Sequence, residues 1–179
     1  MPSTPVLAPL QRADFESIAA LARRIWLEHY ISIISKAQIE YMLGGRFTPE
    51  NLARYVDASD RWFDVLRVGA DIVGYCSHAL LADPREVKLE QLYLLPELHG
   101  LGLGKRMMVH IEAHARELGR DTLVLQVNKQ NTKAASVYLR AGFEVREEAI
   151  VDIGSGYVMD DFVMEKQLGG PPAHKSRVV

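Results

Sequence analysis

The chain has 179 residues, 48% hydrophobic and 25% charged, with 21 basic against 23 acidic side chains and a formal net charge of −2. That suffices for one soluble globular domain with a real core, and it excludes the basic footprint of a nucleic-acid or anionic-membrane binder. No apolar run reaches the ~18 residues of a membrane span, residues 1–9 lack the regions of a signal peptide, and the single cysteine, Cys76, excludes an internal disulfide; the expected compartment is the cytoplasm.

Val6 to Leu10 suits a short first strand. From Asp14 the spacing of Ile18, Leu21, Ile25, Trp26 and Tyr30 is helical. Lys36 to Leu43 predicts a second helix before Gly44-Gly45. Thr48-Pro49-Glu50 opens a third, with Thr48 as N-cap and Pro49 in the first position, running to Ala58. Arg61 to Val68 and Asp71 to Leu80 read as strands joined by a turn at Gly69. Val87 to Leu95 reads as a central strand, Gly102 to Leu118 as an amphipathic helix, Thr122 to Val127 as a buried strand, and Asn131 to Ala141 as a helix closed by Gly142. Phe143 to Val151 and Tyr157 to Lys166 form a final hairpin around Gly154-Ser155-Gly156. This order predicts a single mixed α/β domain over residues 1–168. The tail, 169–179, carries breakers and no core residues and is expected to be disordered.

The stretch LLPELHGLGLGKRMM places Gly100, Gly102 and Gly104 on alternate positions between a strand and a helix. The first turn of a helix leaves its N–H groups unpaired and carries a partial positive charge. Glycines there let the backbone approach a phosphate without a Cβ clash. Residues 101–105 therefore suit a phosphate or pyrophosphate, with Lys105 adding charge. Tight packing of the helix on the sheet is the competing reading. A P-loop is excluded because Arg106 follows Lys105 and the glycine spacing is wrong. The G-x-G-x-x-G dinucleotide fingerprint also fails.

Downstream, NKQNTKAASVYLRAGF opens a helix at Asn131 and places Tyr138 about two turns later on the same face. A capping Asn and a half-buried Tyr would produce the same spacing as a ligand groove. His110 and His114 have a metal-like i, i+4 spacing, but Glu112 stands in the wrong position for H-E-x-x-H. A solvated helix face is expected there, with no metal.

Together, LYLLPELHGLGLGKRMM and NTKAASVYLRAGF closely resemble the GNAT superfamily of N-acetyltransferases. Its pattern is a strand, Q/R-x-x-G-x-G/A, a helix, a strand, then N-x-x-A-x-x-x-Y-x-x-x-G-F. The matching residues are His99 to Gly104, then Asn131, Ala134, Tyr138, Gly142 and Phe143. The resemblance implies a mostly antiparallel sheet flanked by helices and splayed into a V between its fourth and fifth strands, with acetyl-CoA lying in the V. It implies that the backbone of Leu92, Tyr93 and Leu94 pairs with pantetheine. The amides of His99, Gly100, Leu101, Gly102, Leu103, Gly104 and Lys105 would hold the pyrophosphate, with Asn131 near the pantetheine arm. His99 departs from the family's Gln or Arg, which puts any side-chain contact from that position in doubt.

Acetyl transfer needs an amine stripped of a proton, a donor for the oxyanion, and a proton for the departing thiolate. The resemblance assigns these to Glu90, the N–H of Leu94, and Tyr138. Glu90 stands nine residues before the Q/R position, as in the polyamine acetyltransferases of this superfamily. Trp26, Tyr30, Tyr157 and Asp161 are candidates for the acceptor, because rings and carboxylates suit a cationic amine. IWLEHY and YVMDDFVMEKQL also resemble the PaiA-type branch linked to polyamine acetylation. The expected function is acetyl transfer to a primary amine of a small molecule, with a polyamine as one such acceptor. Acetylation of a peptide N-terminus or lysine, and a non-catalytic acetyl-CoA-binding domain, stay open. Family members are often homodimers.

Overall fold

The helical spacing after Asp14 becomes α1 (Phe15–Tyr30), which turns Ile18, Leu21, Ala22, Ile25 and Trp26 onto one buried stripe. The computed structural model describes residues 4–169, so all but the first residue of the expected disordered tail lies outside the described residues. The Ser35 hydroxyl caps α2 (Lys36–Arg46) by accepting from the Gln38 amide, and Thr48 caps α3 (Pro49–Ala53) by accepting from Asn51. The third helix ends at Ala53 rather than Ala58. Residues 54–56 tighten into i→i+3 bonds, and Asp57 enters the left-handed region at φ +60°.

Seven strands follow the expected order with small shifts in their ends. They are β1 (Val6–Pro9), β2 (Arg61–Val68), β3 (Asp71–Leu80), β4 (Glu86–Leu94), β5 (Thr122–Asn128), β6 (Glu144–Gly154) and β7 (Tyr157–Gln167). Two more helices, α4 (Leu103–Glu117) and α5 (Thr132–Arg140), alternate with the central strands. The sheet order is β1-β2-β3-β4-β5-β7-β6, and only β4 and β5 run parallel.

Two apolar layers sandwich this sheet. On one face, Met107, Met108, Ile111 and Ala115 of α4 pack on Val87, Leu89, Leu123, Leu125 and Met164. On the other, α1, α2 and α3 pack on Phe63, Val65 and Tyr75. Full burial of one such aliphatic side chain contributes about 1.5–3 kcal/mol. The period-2 alternation of strands then fixes what faces away from α4: Lys88 on β4, Gln126 on β5 and Asp161 on β7.

The sheet is a V. Strands β4 and β5 pair only from Glu86↔Thr122 to Leu89↔Leu125. Beyond Leu89, β4 stays bonded to β3 and β5 to β7, and the two halves part.

The helix face carrying His110 and His114 is not the solvated one expected. His114 Nδ1 lies 2.8 Å from Nε2 of the buried His78, and His110 Nε2 lies 3.1 Å from Asp64. Trp62 stacks on His78 and meets His114 edge-on. Burial, then the charge of His114, lowers the His78 pKa to about 4. The native protein thus keeps His78 neutral where the unfolded chain, near its ordinary value of about 6.5, takes a proton. Stability is therefore expected to fall by up to about 3 kcal/mol as pH drops from about 6.5 to 4. Thermal unfolding across that range should show a shallower fall in His78→Gln, which keeps a polar partner for His114 but does not titrate.

Candidate active site

Glu90 owes its position to a bulge. Ser77 pairs with Gln91 and His78 with Leu89, so Glu90 is the extra residue of β4 with no partner across the ladder. Its Oε2 accepts the Tyr55 hydroxyl at 2.7 Å. Burial, then the Glu90 charge, pushes the Tyr55 pKa up to about 12, so this phenol remains a donor at neutral pH. Tyr55 was not singled out by sequence, because it falls in the irregular stretch after α3 where no periodicity marks it.

Beyond Glu90, β4 has an open edge. The Leu95 amide donates to Val73 of β3 at 2.9 Å. Strand alternation therefore points the backbone groups of Leu92 and Leu94 into the gap. It points those of Tyr93 toward β3, against the expectation for its backbone; what Tyr93 gives the cleft is its phenol. The His99 ring lies 3.1 Å from the Leu94 carbonyl and must donate to it. His99 thus clips the glycine loop to the end of β4 and leaves Leu94 with a free N–H.

The glycine stretch is an open cradle. Gly100 and Gly102 have φ of +82° and +77°, and Gly102 is the N-cap of α4. A Cβ on Gly100, Gly102 or Gly104 would meet no heavy atom within 4 Å. Tight packing of the helix on the sheet therefore does not explain the three glycines. The first intrahelical bond runs from Arg106 N to Gly102 O, leaving the amides of Leu103, Gly104 and Lys105 without intrahelical partners. Free amides, a helix N-terminus, a Lys105 side chain and bare space above them fit a pyrophosphate. The Leu101 side chain points into solvent, 67% exposed, and is not among the residues that line the cleft.

Facing this edge, α5 carries Asn131 and Tyr138 into the same cleft. Asn131 is buried. Its Oδ1 caps α5 through Ala134 N at 3.3 Å, and its Nδ2 donates to His29 Nε2 at 3.0 Å. That bond requires the neutral ring, and burial lowers the His29 pKa accordingly. The Tyr138 ring packs edge-on against Phe143, and burial raises its phenol pKa, so it keeps its proton.

The cleft encloses about 1390 Å³, above the usual range for a single drug-sized ligand, and leaves room for a long cofactor beside an acceptor. Of the expected acceptor residues, Trp26, Tyr30 and Asp161 line it, Trp26 as its buried floor. The Tyr30 hydroxyl lies 2.8 Å from that of Tyr93. Asp161 is 7% exposed, its Oδ1 has no partner, and burial followed by Asp160 raises its pKa. Trp26, at 2% exposure, packs with Tyr30, Tyr93 and Phe47 as the aromatic floor of the cleft. Tyr157 sits past the hairpin turn, packed on Tyr41, and is not among the residues that line the cleft.

Residues 21–143 match the acetyltransferase (GNAT) family. The chain belongs to that family. It is 29% identical over 158 residues to the spermidine N(1)-acetyltransferase of Thermoplasma acidophilum, covering 86% of this chain and 91% of that protein. An uncharacterised N-acetyltransferase of Mycobacterium tuberculosis is 28% identical over 155 residues, covering 87% of this chain and 98% of the relative. Among solved structures, the PaiA N-acetyltransferase of T. acidophilum in complex with coenzyme A superposes with a TM-score of 0.78 at 25% identity, over 92% of this chain and 99% of that one. This GNAT protein is therefore an enzyme, an N-acetyltransferase. No helix among its described residues is long and apolar enough to cross a membrane.

Proposed function

We propose that the protein transfers the acetyl group of acetyl-CoA directly to a primary amine of a small molecule. One observation carries the reading. A phosphate-sized cradle, an open strand edge, a carboxylate and a phenol lie along a single cleft, in the order that a thioester cofactor and an amine would need.

Amides 103–105 and Lys105 hold the pyrophosphate, and the pantetheine runs along the Leu92–Leu94 edge toward Glu90 and Tyr138. Glu90, directly or through water, takes the ammonium proton. The freed amine attacks the thioester carbonyl, and the Leu94 N–H receives the negative oxygen. Collapse breaks the C–S bond, Tyr138 gives its proton to the departing thiolate, the nitrogen loses its extra proton, which through water restores the Tyr138 hydroxyl, and the neutral amide is left on the acceptor. No acyl-enzyme is required. Cys76 is fully buried and its thiol pKa is raised by that burial, so it is no nucleophile. The spermidine N(1)-acetyltransferase of T. acidophilum makes a polyamine one candidate for that amine.

Thiol release from acetyl-CoA with a panel of primary amines tests the reading. Glu90→Gln should lower kcat/KM by about 10²-fold, and the deficit should shrink as pH nears the pKa of the amine, which then needs no base. Release with peptides alone would favour the peptide-acetylating alternative. Tight acetyl-CoA binding without release to any amine would favour a non-catalytic domain.

A further inference from the structure

The charges on the acceptor side of the cleft are not those of a receptor for a polycation. The sheet face turned away from α4, together with the end of α2 and the stretch after α3, lines the cleft with Arg46, Arg54, Arg61 and Lys88 against two carboxylates, Glu90 and Asp161. Arg61 is paired with Asp60 outside this group. Arg46, Arg54 and Lys88 take part in none of the ion pairs among the described residues. Lys88 has only the Gln126 side-chain carbonyl, at 2.7 Å. Elsewhere the protein pairs many of its surface cations, as with Arg24 on Glu28 and Glu97, or Arg146 on Glu86 and Glu165.

Arg46 is the best placed of the three. Its guanidinium carbon lies 5.6 Å from the centroid of the Trp26 ring, a position that steadies a cation without using its N–H donors. Trp26 also packs with Tyr30 and Tyr93, so this fork shares the aromatic wall of the cleft with their hydroxyls. Within the same cleft Asp161 buries a carboxylate oxygen that no group of the protein satisfies. An unsatisfied buried carboxylate oxygen calls for a donor, and a primary ammonium supplies one. Arg46 and Lys88 lie within electrostatic reach of Asp161, but Arg46 forms no ion pair with it or with any other carboxylate among the described residues, so its planar fork of donors is left for an anion.

Resting on the acetyltransferase reading above, we infer that the acceptor carries an acidic group beside its amine, the ammonium end drawn to Asp161 and Glu90 and the anionic end held by Arg46. A polyamine brings positive charge to both ends and meets Arg46, Arg54 and Lys88 with repulsion. A carboxylate and a phosphate share the chemistry that Arg46 reads.

The test uses matched acceptors: short ω-amino carboxylates, the corresponding carboxamides, aminoalkyl phosphates and spermidine, each with acetyl-CoA and followed by thiol release. The anionic acceptors should exceed the carboxamides in kcat/KM by at least about tenfold, the scale of one charge-assisted hydrogen bond, and should exceed spermidine. A larger effect with phosphates than with carboxylates, or the reverse, identifies the anion. In Arg46→Gln the ratio of acid to carboxamide should fall toward one, and Arg46→Lys should restore part of it. Spermidine or the carboxamides turned over as well as the acids, or a ratio unmoved by Arg46→Gln, overturns the inference and leaves the acetyltransferase standing. No release with any acceptor, while acetyl-CoA still raises the melting temperature, overturns the acetyltransferase reading and this inference with it.

Discussion

Tyr138→Phe is expected to lower kcat by about 10²–10³-fold, the scale of general acid catalysis, with the KM for acetyl-CoA nearly unchanged. The substitution removes one oxygen and keeps the ring that packs on Phe143, so the fold and the cofactor groove should survive. The raised pKa of the phenol keeps it protonated across the working range. Its proton matters most where the leaving thiolate, with a pKa of roughly 8.5 by analogy with cysteine, would otherwise depart charged. The loss should therefore be largest at neutral pH and smaller above the thiol pKa. Steady-state kinetics over that range, with thermal unfolding as the control, check it. An unchanged kcat would move the acid elsewhere, and the hydroxyl pair of Tyr30 and Tyr93 in the same cleft is then a candidate source.

Gly102→Val is expected to weaken coenzyme A binding by well over tenfold, while Gly104→Ala should leave it intact. The two glycines look alike in sequence and differ in backbone. Gly102 caps α4 at φ +77°, a region that costs an L residue roughly 1–2 kcal/mol and a β-branched one more. Its added side chain would also stand in the space above the free amides. Gly104 lies within the helix, where alanine gains up to about 1 kcal/mol over glycine. The pattern that the chain resembles also admits alanine there. Titration calorimetry with coenzyme A and melting curves on both variants separate the effects: one weak binder of lower stability, one good binder of higher stability. Equal affinity in Gly102→Val would mean that the pyrophosphate does not use this cradle.

The glycine cradle and Tyr138 were legible in the sequence because each lies on a helix whose start is announced locally, by alternating glycines or by a capping Asn. Strand and helix types were legible for the same reason, since hydrophobic period needs only neighbours in the chain. What escaped was decided between distant segments. A slip of one residue against β3 makes the bulge at Glu90, and no spacing within β4 reveals it. Tyr55 reaches Glu90 from 35 residues away. The pairing of His114 with His78 needed α4 to lie on β3, so the face looked solvated until the sheet was assembled. Tyr157 failed in the opposite direction: the hairpin carries it past the cleft and onto Tyr41.

The inner edge of β4 has a wider consequence. Exposed strand edges are where sheets recruit other chains and aggregate, and proteins usually blunt them with charge, proline or bulges. Here the backbone groups of Leu92 and the N–H of Leu94 need no such guard, because they face inward, across a wedge whose other wall is β5. The wedge narrows to bonded strands at Leu89 and Leu125. A molecule with amide groups along its length can pair with that edge only from inside the wedge. The protein thus keeps an adhesive edge that is reached only from within its own sheet, and the pair that would next close the wedge, Glu90 with Gln126, falls at the bulged residue that the chemistry needs free.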